Sequence, residues 1–139
     1  MSLIIDASIA LAWSFEDERT PPVLAILEEV IQDGAAVPVL WRLEIANSMR
    51  SALRRGRITR AFRGQALIDL ADLAIVIDAD SNDHAWSSVI ALSDEYEMAP
   101  YDAAYLELAQ RQRRPLATLD KRLAKAALSM GIEVRGIEN

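Results

Sequence analysis

Leu3-Ile4-Ile5 is an uninterrupted apolar run ending at Asp6, and beyond Ala7-Ser8 the apolar positions Ile9, Ala12 and Trp13 fall at helical spacing. That pattern predicts a strand, a turn and a helix, with Ser8 near the cap and an acid at the strand's carboxyl end. Glu16-Asp17-Glu18 reads as solvent loop. Pro21-Pro22 opens a second helix with Val23, Ile26, Leu27, Val30 and Ile31 on one face, and Gly34 stops it. Ala35-Ala36-Val37-Pro38 reads as a second short strand, followed by a helix from about Trp41 to Arg54 that ends at Gly56.

Thr59 caps a helix carrying Phe62, Ala66, Leu67, Leu70 and Ala71, and Ala74-Ile75-Val76-Ile77 forms a third strand leading into Asp78 and Asp80. Ser81 and Asn82 offer the next cap, with Trp86, Val89, Ile90 and Leu92 marking a helix that runs to about Tyr96. Pro100 separates it from a helix bearing Ala103, Ala104, Leu106, Leu108 and Ala109. Leu116-Ala117-Thr118-Leu119 is a fourth strand, Lys121 to Ser129 a last helix, and Ile132 to Val134 a fifth strand beyond Gly131. Strands alternating with helices predict an α/β fold: a three-layer α/β/α arrangement around a mainly parallel sheet of about five strands.

A chain of 139 residues, 52% hydrophobic and 26% charged, fits one domain over residues 1–139. Such a domain buries roughly 68% of its unfolded surface without help from disulfides or structural metal. With no Cys and only His84, thiol nucleophiles, thiolate zinc sites and multi-histidine zinc motifs are excluded, leaving mostly carboxylate chemistry. No apolar stretch approaches the roughly 18 residues of a spanning helix. Met1 to Asp6 has no basic leader pattern, so a cytoplasmic location without membrane contact is expected. The formal net charge of −6 makes the whole-molecule field repel nucleic acid, so any attraction to it has to come from local basic patches.

Sites in open parallel sheets lie beyond the carboxyl ends of the strands, where Asp6 and Asp120 both fall. Asp102 opens the helix after Pro100, and Glu44 lies near the start of the helix from Trp41, so the four acids either converge on one rim or stand as unrelated helix caps and surface acids. Helix amino ends favour each by only about 0.3–1 kcal/mol. Two like charges 4 Å apart repel by roughly 4 kcal/mol at an effective dielectric of 20. The cluster therefore needs shared protons, a basic neighbour or a hard divalent ion, and all-oxygen ligands suit Mg²⁺ or Mn²⁺ better than zinc. Thr118 and Ser8, two residues from Asp120 and Asp6, serve equally as site-orienting hydroxyls or as strand-end and cap residues. Asn47, one turn after Glu44, is placed to orient Glu44 or Asp6. Asp78, Asp80 and Asp83 are reserve ligands that read first as turn caps.

Two arginine-rich stretches stand out: Arg50, Arg54, Arg55, Arg57, Arg60 and Arg63; and Arg111, Arg113, Arg114, Lys121, Arg122 and Lys125. Both can be solvated helix faces or contacts to phosphates. Trp13 and Trp41 read as packing residues with stacking on an unpaired base as the alternative, and His84 as a surface or cap-region residue.

Four motifs in order, Ile4-Ile5-Asp6-Ala7-Ser8, Glu44-Ile45-Ala46-Asn47, Tyr101-Asp102-Ala103-Ala104-Tyr105 and Leu116-Ala117-Thr118-Leu119-Asp120-Lys121-Arg122-Leu123, resemble those of PIN-domain ribonucleases. More narrowly, they resemble the VapC toxins of bacterial and archaeal toxin–antitoxin pairs. The resemblance spans essentially the whole chain. It implies a metal site formed by Asp6, Glu44, Asp102 and Asp120 with Thr118 beside it, and Mg²⁺- or Mn²⁺-dependent endonucleolytic cleavage of RNA, commonly transfer or ribosomal RNA. It also implies a homodimer silenced by a cognate VapB-like antitoxin in a heteromeric complex. The acidic net charge departs from what a free RNA binder leads one to expect but suits a basic antitoxin segment. Two other classes compete: a catalytically silent module that binds protein or RNA, and a phosphatase or phosphoacceptor domain using Asp6. Asp6-Ala7-Ser8 lacks the second aspartate, two residues on, that many aspartyl phosphatases use as acid, and no dinucleotide or P-loop motif is present.

Overall fold

The computed structural model describes residues 2–137. The first apolar run is strand β1 (Leu3–Ile5), all of it buried. It is followed by helix α1 (Ala7–Ser14), capped by Asp6, whose side chain accepts the Ile9 N–H. The cap therefore lies two residues ahead of Ser8, the residue expected there. Both types cap well. Position decides it, because the helix begins directly at Ala7. Thr20 and Thr59 cap α2 (Pro21–Asp33) and α4 (Arg60–Ala71), while α3 (Trp41–Arg54) starts without a side-chain cap. Glu16–Glu18, expected as loop, is a short 3₁₀ turn.

Strands β2 (Ala35–Val37), β3 (Ile75–Ile77), β4 (Leu116–Ala117) and β5 (Val134–Arg135) complete a five-stranded parallel sheet in the order β3-β2-β1-β4-β5. β1 occupies the centre, with Ile4 registered against Ala36 on one side and Leu116 on the other. The chain steps outward from β1 in both directions, so the gap between the carboxyl ends of β1 and β4 is the topological switch point. Helix α6 (Pro100–Gln112) precedes β4, and α7 (Lys121–Ser129), capped by Asp120, follows it.

Three expectations shift in detail. Residues 81–96 form a 3₁₀ turn (Ser81–His84), a single wide π turn (Ala85–Val89) and α5 (Ile90–Tyr96) rather than one helix. The wide turn breaks the 3.6-residue register, and Trp86, expected to mark the apolar face, is 91% exposed. β4 spans two residues instead of four: the Thr118 N–H still donates to the Arg135 carbonyl of β5, but the Leu119 N–H turns to Ser8 Oγ. β5 begins at Val134, while Ile132 is buried in the core without pairing. Trp13 and Trp41 are buried, with Trp13 Nε1 donating to the Val23 carbonyl, so packing is their role and base stacking is not. Among the described residues no helix is long and apolar enough to cross a membrane.

Candidate active site

The switch point carries Asp6 at the end of β1 and Asp120 beyond β4. Asp6 is 6% exposed and held at both oxygens. Ser8 Oγ donates to Oδ1 at 2.6 Å, and Thr118 Oγ1 donates to Oδ2. The same hydroxyls accept backbone N–H bonds from the β4–α7 corner: Leu119 to Ser8 and Asp120 to Thr118, each at 3.0 Å. Two hydroxyls thus bolt the carboxylate to the neighbouring strand's exit. Of the two readings open for Ser8 and Thr118, the structure favours the orienting one.

Asp120 is exposed, its Oδ1 accepting the Arg122 and Leu123 N–H groups at 2.9 and 3.2 Å. Glu44, in the first turn of α3, is partly buried, and Oε1 accepts the hydroxyl of Tyr105 from α6. Asp102 sits in the first turn of α6, one turn before that tyrosine. All four acids therefore stand at the electropositive amino ends of four helices.

Their titration registers this proximity. Burial pushes the Asp6 carboxyl above the ordinary carboxylate range; the Ser8, Thr118 and Ile9 bonds pull it back, and the charge of Asp120 raises it further. Glu44 is raised by burial and by Asp102 and Asp6, against the pull of the Tyr105 bond. Burial and Asp120 raise Asp102, while Arg122 opposes them. Arg122 is anchored through Nη2 to the Glu97 carbonyl at 2.7 Å, which keeps one cation at the rim. The four carboxyls share one electrostatic field, but among the described residues no three His, Asp or Glu side chains stand ready in a metal-coordinating arrangement. The all-oxygen donor set and the mutual repulsion fit a hard divalent ion whose shell is completed by water.

Asn47, expected to orient Glu44 or Asp6, and the reserve ligand Asp78, read first as a turn cap, stand outside this cluster. Asn47 is exposed and gives no bond to Glu44 or Asp6; Tyr105 has that role. Asp78 is engaged by Arg111 and Ser81. Partial burial alone would lift its carboxyl, but the Arg111 and Ser81 bonds hold it below the usual range. Arg111 lies nine residues along α6 from Asp102, about 13 Å at helical rise. It also pairs with the buried Glu107, which lies 3.6 Å from His84 Nδ1, so this acidic exit serves a structural ion-pair network. Tyr105 was the residue that motif reading missed. Its spacing of three from Asp102, which places both on one helix face, was the available signal.

A family model of the PIN domain matches residues 3–128. The chain belongs to the PIN domain family. The family expected from the four motifs is thereby borne out. This PIN domain is 27% identical over 127 residues to Ribonuclease VapC3 of Pyrobaculum aerophilum, covering 90% of this chain and 94% of the relative. A crystal structure of a Pyrobaculum aerophilum protein superposes with a TM-score of 0.69 at 20% identity, over 96% of this chain and 89% of that one. A toxin–antitoxin complex from Klebsiella pneumoniae matches with a TM-score of 0.59 at 21% identity, over 89% of this chain and 91% of that one. At these identities the two structures share the PIN fold, and the α/β architecture with its parallel central sheet agrees with them.

Replacing Tyr105 by Phe removes the bond that restrains Glu44, so the Glu44 carboxyl is expected to rise further. Activity that depends on ionised Glu44 should then lose its acid limb at higher pH than the parent. A pH–rate profile measures this, and an unmoved limb would leave Tyr105 a packing residue only.

Proposed function

We propose that the protein is a metal-dependent endoribonuclease, the toxin of a VapBC-type toxin–antitoxin pair, with Asp6, Glu44, Asp102 and Asp120 as its acidic centre. What supports this reading is that Asp6, Glu44, Asp102 and Asp120 stand at the amino ends of four helices within one another's electrostatic reach, with Ser8 and Thr118 holding Asp6 at the β1–β4 exit. The PIN family membership and the similarity to a named VapC ribonuclease support it. Mg²⁺ or Mn²⁺ held by these carboxylates would polarise the phosphodiester and lower the pKa of an attacking water.

In this reading Asp6 is the fixed element, because its two hydroxyl partners leave it one orientation. Glu44, raised by burial and steadied by Tyr105, is the group best poised to take a proton from water as the water oxygen bonds to phosphorus. The P–O3′ bond breaks, the departing oxygen takes up a proton from solvent water, and Glu44 returns its proton to solvent. Asp102 and Asp120, nearer solvent, face the phosphate from the rim, and Arg122 offsets part of their charge. Transfer or ribosomal RNA is the substrate class that the VapC resemblance suggests. A cognate antitoxin and a homodimer complete the assembly we propose, the Klebsiella pneumoniae complex being the structural support for the antitoxin.

The test is incubation of purified protein with total RNA in Mg²⁺ or Mn²⁺, with and without EDTA, followed by end sequencing. Discrete new ends that vanish with EDTA are the expected result. Identical RNA profiles in every arm would reject the nuclease and favour the silent binding module.

A further inference from the structure

The charge of this chain is distributed unevenly. Residues 41–63 hold seven of its 15 basic residues, Arg42, Arg50, Arg54, Arg55, Arg57, Arg60 and Arg63, and only Glu44 of its 21 acids. That stretch carries a net +6 in a chain whose total is −6, so everything outside it sums to −12. In the fold it is α3, the turn after it and the start of α4.

Trp41, Ile45, Met49 and Ala52 form the buried face of α3, which turns Arg42, Arg50 and Arg54 outward, and Arg55, the residue that caps its carboxyl end, is exposed with them. Among the described residues none of these four has an ion-pair partner. Arg57, by contrast, is committed, bonded to Asp17 and Glu18 and lying 4.1 Å over the Phe15 ring. Helical spacing then orders the outer face. Ser48, Ser51 and Arg55 follow Glu44 at four, seven and eleven residues, one row running three turns away from the acidic centre. Arg50 and Arg54 make the adjacent row. At 1.5 Å per residue, Arg50, Arg54 and Arg55 lie about 9, 15 and 16 Å along the axis from Glu44. Apart from Glu44 the rows hold hydroxyls, guanidinium groups, the Asn47 amide and the exposed Leu43 but no acid, and like charges one turn apart repel unless a polyanion lies across them.

We infer that the outer face of α3, through Arg50, Arg54 and Arg55, is a phosphate track that seats the RNA strand on one side of the bond to be cut. This rests on the nuclease reading above. A nucleic-acid strand fits better than an acidic peptide because the rows begin at Glu44, so a backbone held along them delivers a phosphate to the acids. It also explains how a chain of net −6 takes a polyanionic substrate: attraction is local and directed, against a repelling remainder.

The experiment measures binding of a labelled single-stranded RNA to full-length Asp6→Asn protein by fluorescence anisotropy across a salt series, and steady-state cleavage in the Asp6 background. Arg50→Gln, Arg54→Gln and Arg55→Gln are each expected to flatten the slope of log affinity against log salt by about 0.7. Each should also raise KM severalfold with kcat nearly unchanged, and the corresponding Lys variants should restore the slope. Arg113→Gln, exposed at the far end of α6, should leave the slope unchanged. Unchanged slopes in all three, equal flattening by Arg113→Gln, or tighter binding of a polyglutamate peptide than of RNA would overturn the track. Cleavage that needs Asp6 but ignores the three arginines sinks the track alone, whereas a protein that neither binds nor cuts RNA sinks the nuclease reading with it.

Discussion

Asp6→Asn protein is expected to fold and to lose divalent-dependent RNA cleavage by about three orders of magnitude or more. The carboxylate is buried, central and fixed by Ser8 and Thr118, so no neighbour can swing in to replace it. Interactions of this kind supply several kcal/mol of transition-state stabilisation, and each 1.36 kcal/mol is about a tenfold change in rate. Stability should respond in the opposite sense. Asp6, Glu44 and Asp102 all have raised carboxyl groups in the fold. The folded state therefore binds more protons than the unfolded one just above the ordinary carboxyl pKa. Their contribution to stability is complete below about pH 4 and is lost as pH rises through the raised values. Ion-free parent protein should thus lose melting temperature across that window, Mg²⁺ or Mn²⁺ should restore it near neutrality, and Asp6→Asn should show a shallower loss. Circular dichroism melts at several pH values, with and without EDTA, measure this. Full cleavage by the Asn variant at equal purity would remove Asp6 from the mechanism.

The second large effect belongs to a residue that need not touch RNA. Thr118→Val keeps the shape of a fully buried side chain but removes the donor to Asp6 and the acceptor of the Asp120 N–H. The buried Asp6 Oδ2 left without its donor costs about 1–3 kcal/mol. At roughly 4 °C per kcal/mol the melting temperature should drop measurably. Without one of the bonds that lower it, the Asp6 carboxyl should rise further, moving the acid limb of activity to higher pH. Cleavage should fall about 10- to 100-fold, the usual cost of losing a partner that orients a ligating group. Thr118→Ser should recover most of both. A Val variant as unstable as expected but with an unmoved pH profile would make Thr118 a structural residue only.

The elements were largely legible in the sequence because buried strands here are short unbroken apolar runs and the helices open at Pro21, Thr59 and Pro100. The neighbour order of the strands was not, since periodicity says which residues face inward but not which strand lies beside which. The segment 81–96 misled for a local reason: a π turn displaces the register, so an indole that looks like a core residue faces water. At the candidate site, strand ends and helix beginnings announced the four acids. Their partners were harder to see, because Tyr105 and Glu44 are 61 residues apart and Thr118 and Asp6 are 112 apart. Asn47, near Glu44 in sequence, was the more obvious choice, but the face it occupies looks outward.

The bolting of Asp6 to the exit of β4 also sets a timetable for synthesis. A nascent chain that has emerged as far as Pro115 already carries Asp6, Glu44 and Asp102, yet β1 lacks one flank of the sheet and the Asp6 carboxyl lacks its threonine. Domains fold largely as units during translation. On the nuclease reading, cutting power accordingly waits for β4 and Thr118 to join the sheet, and a chain stopped at Pro115 is expected to be inactive.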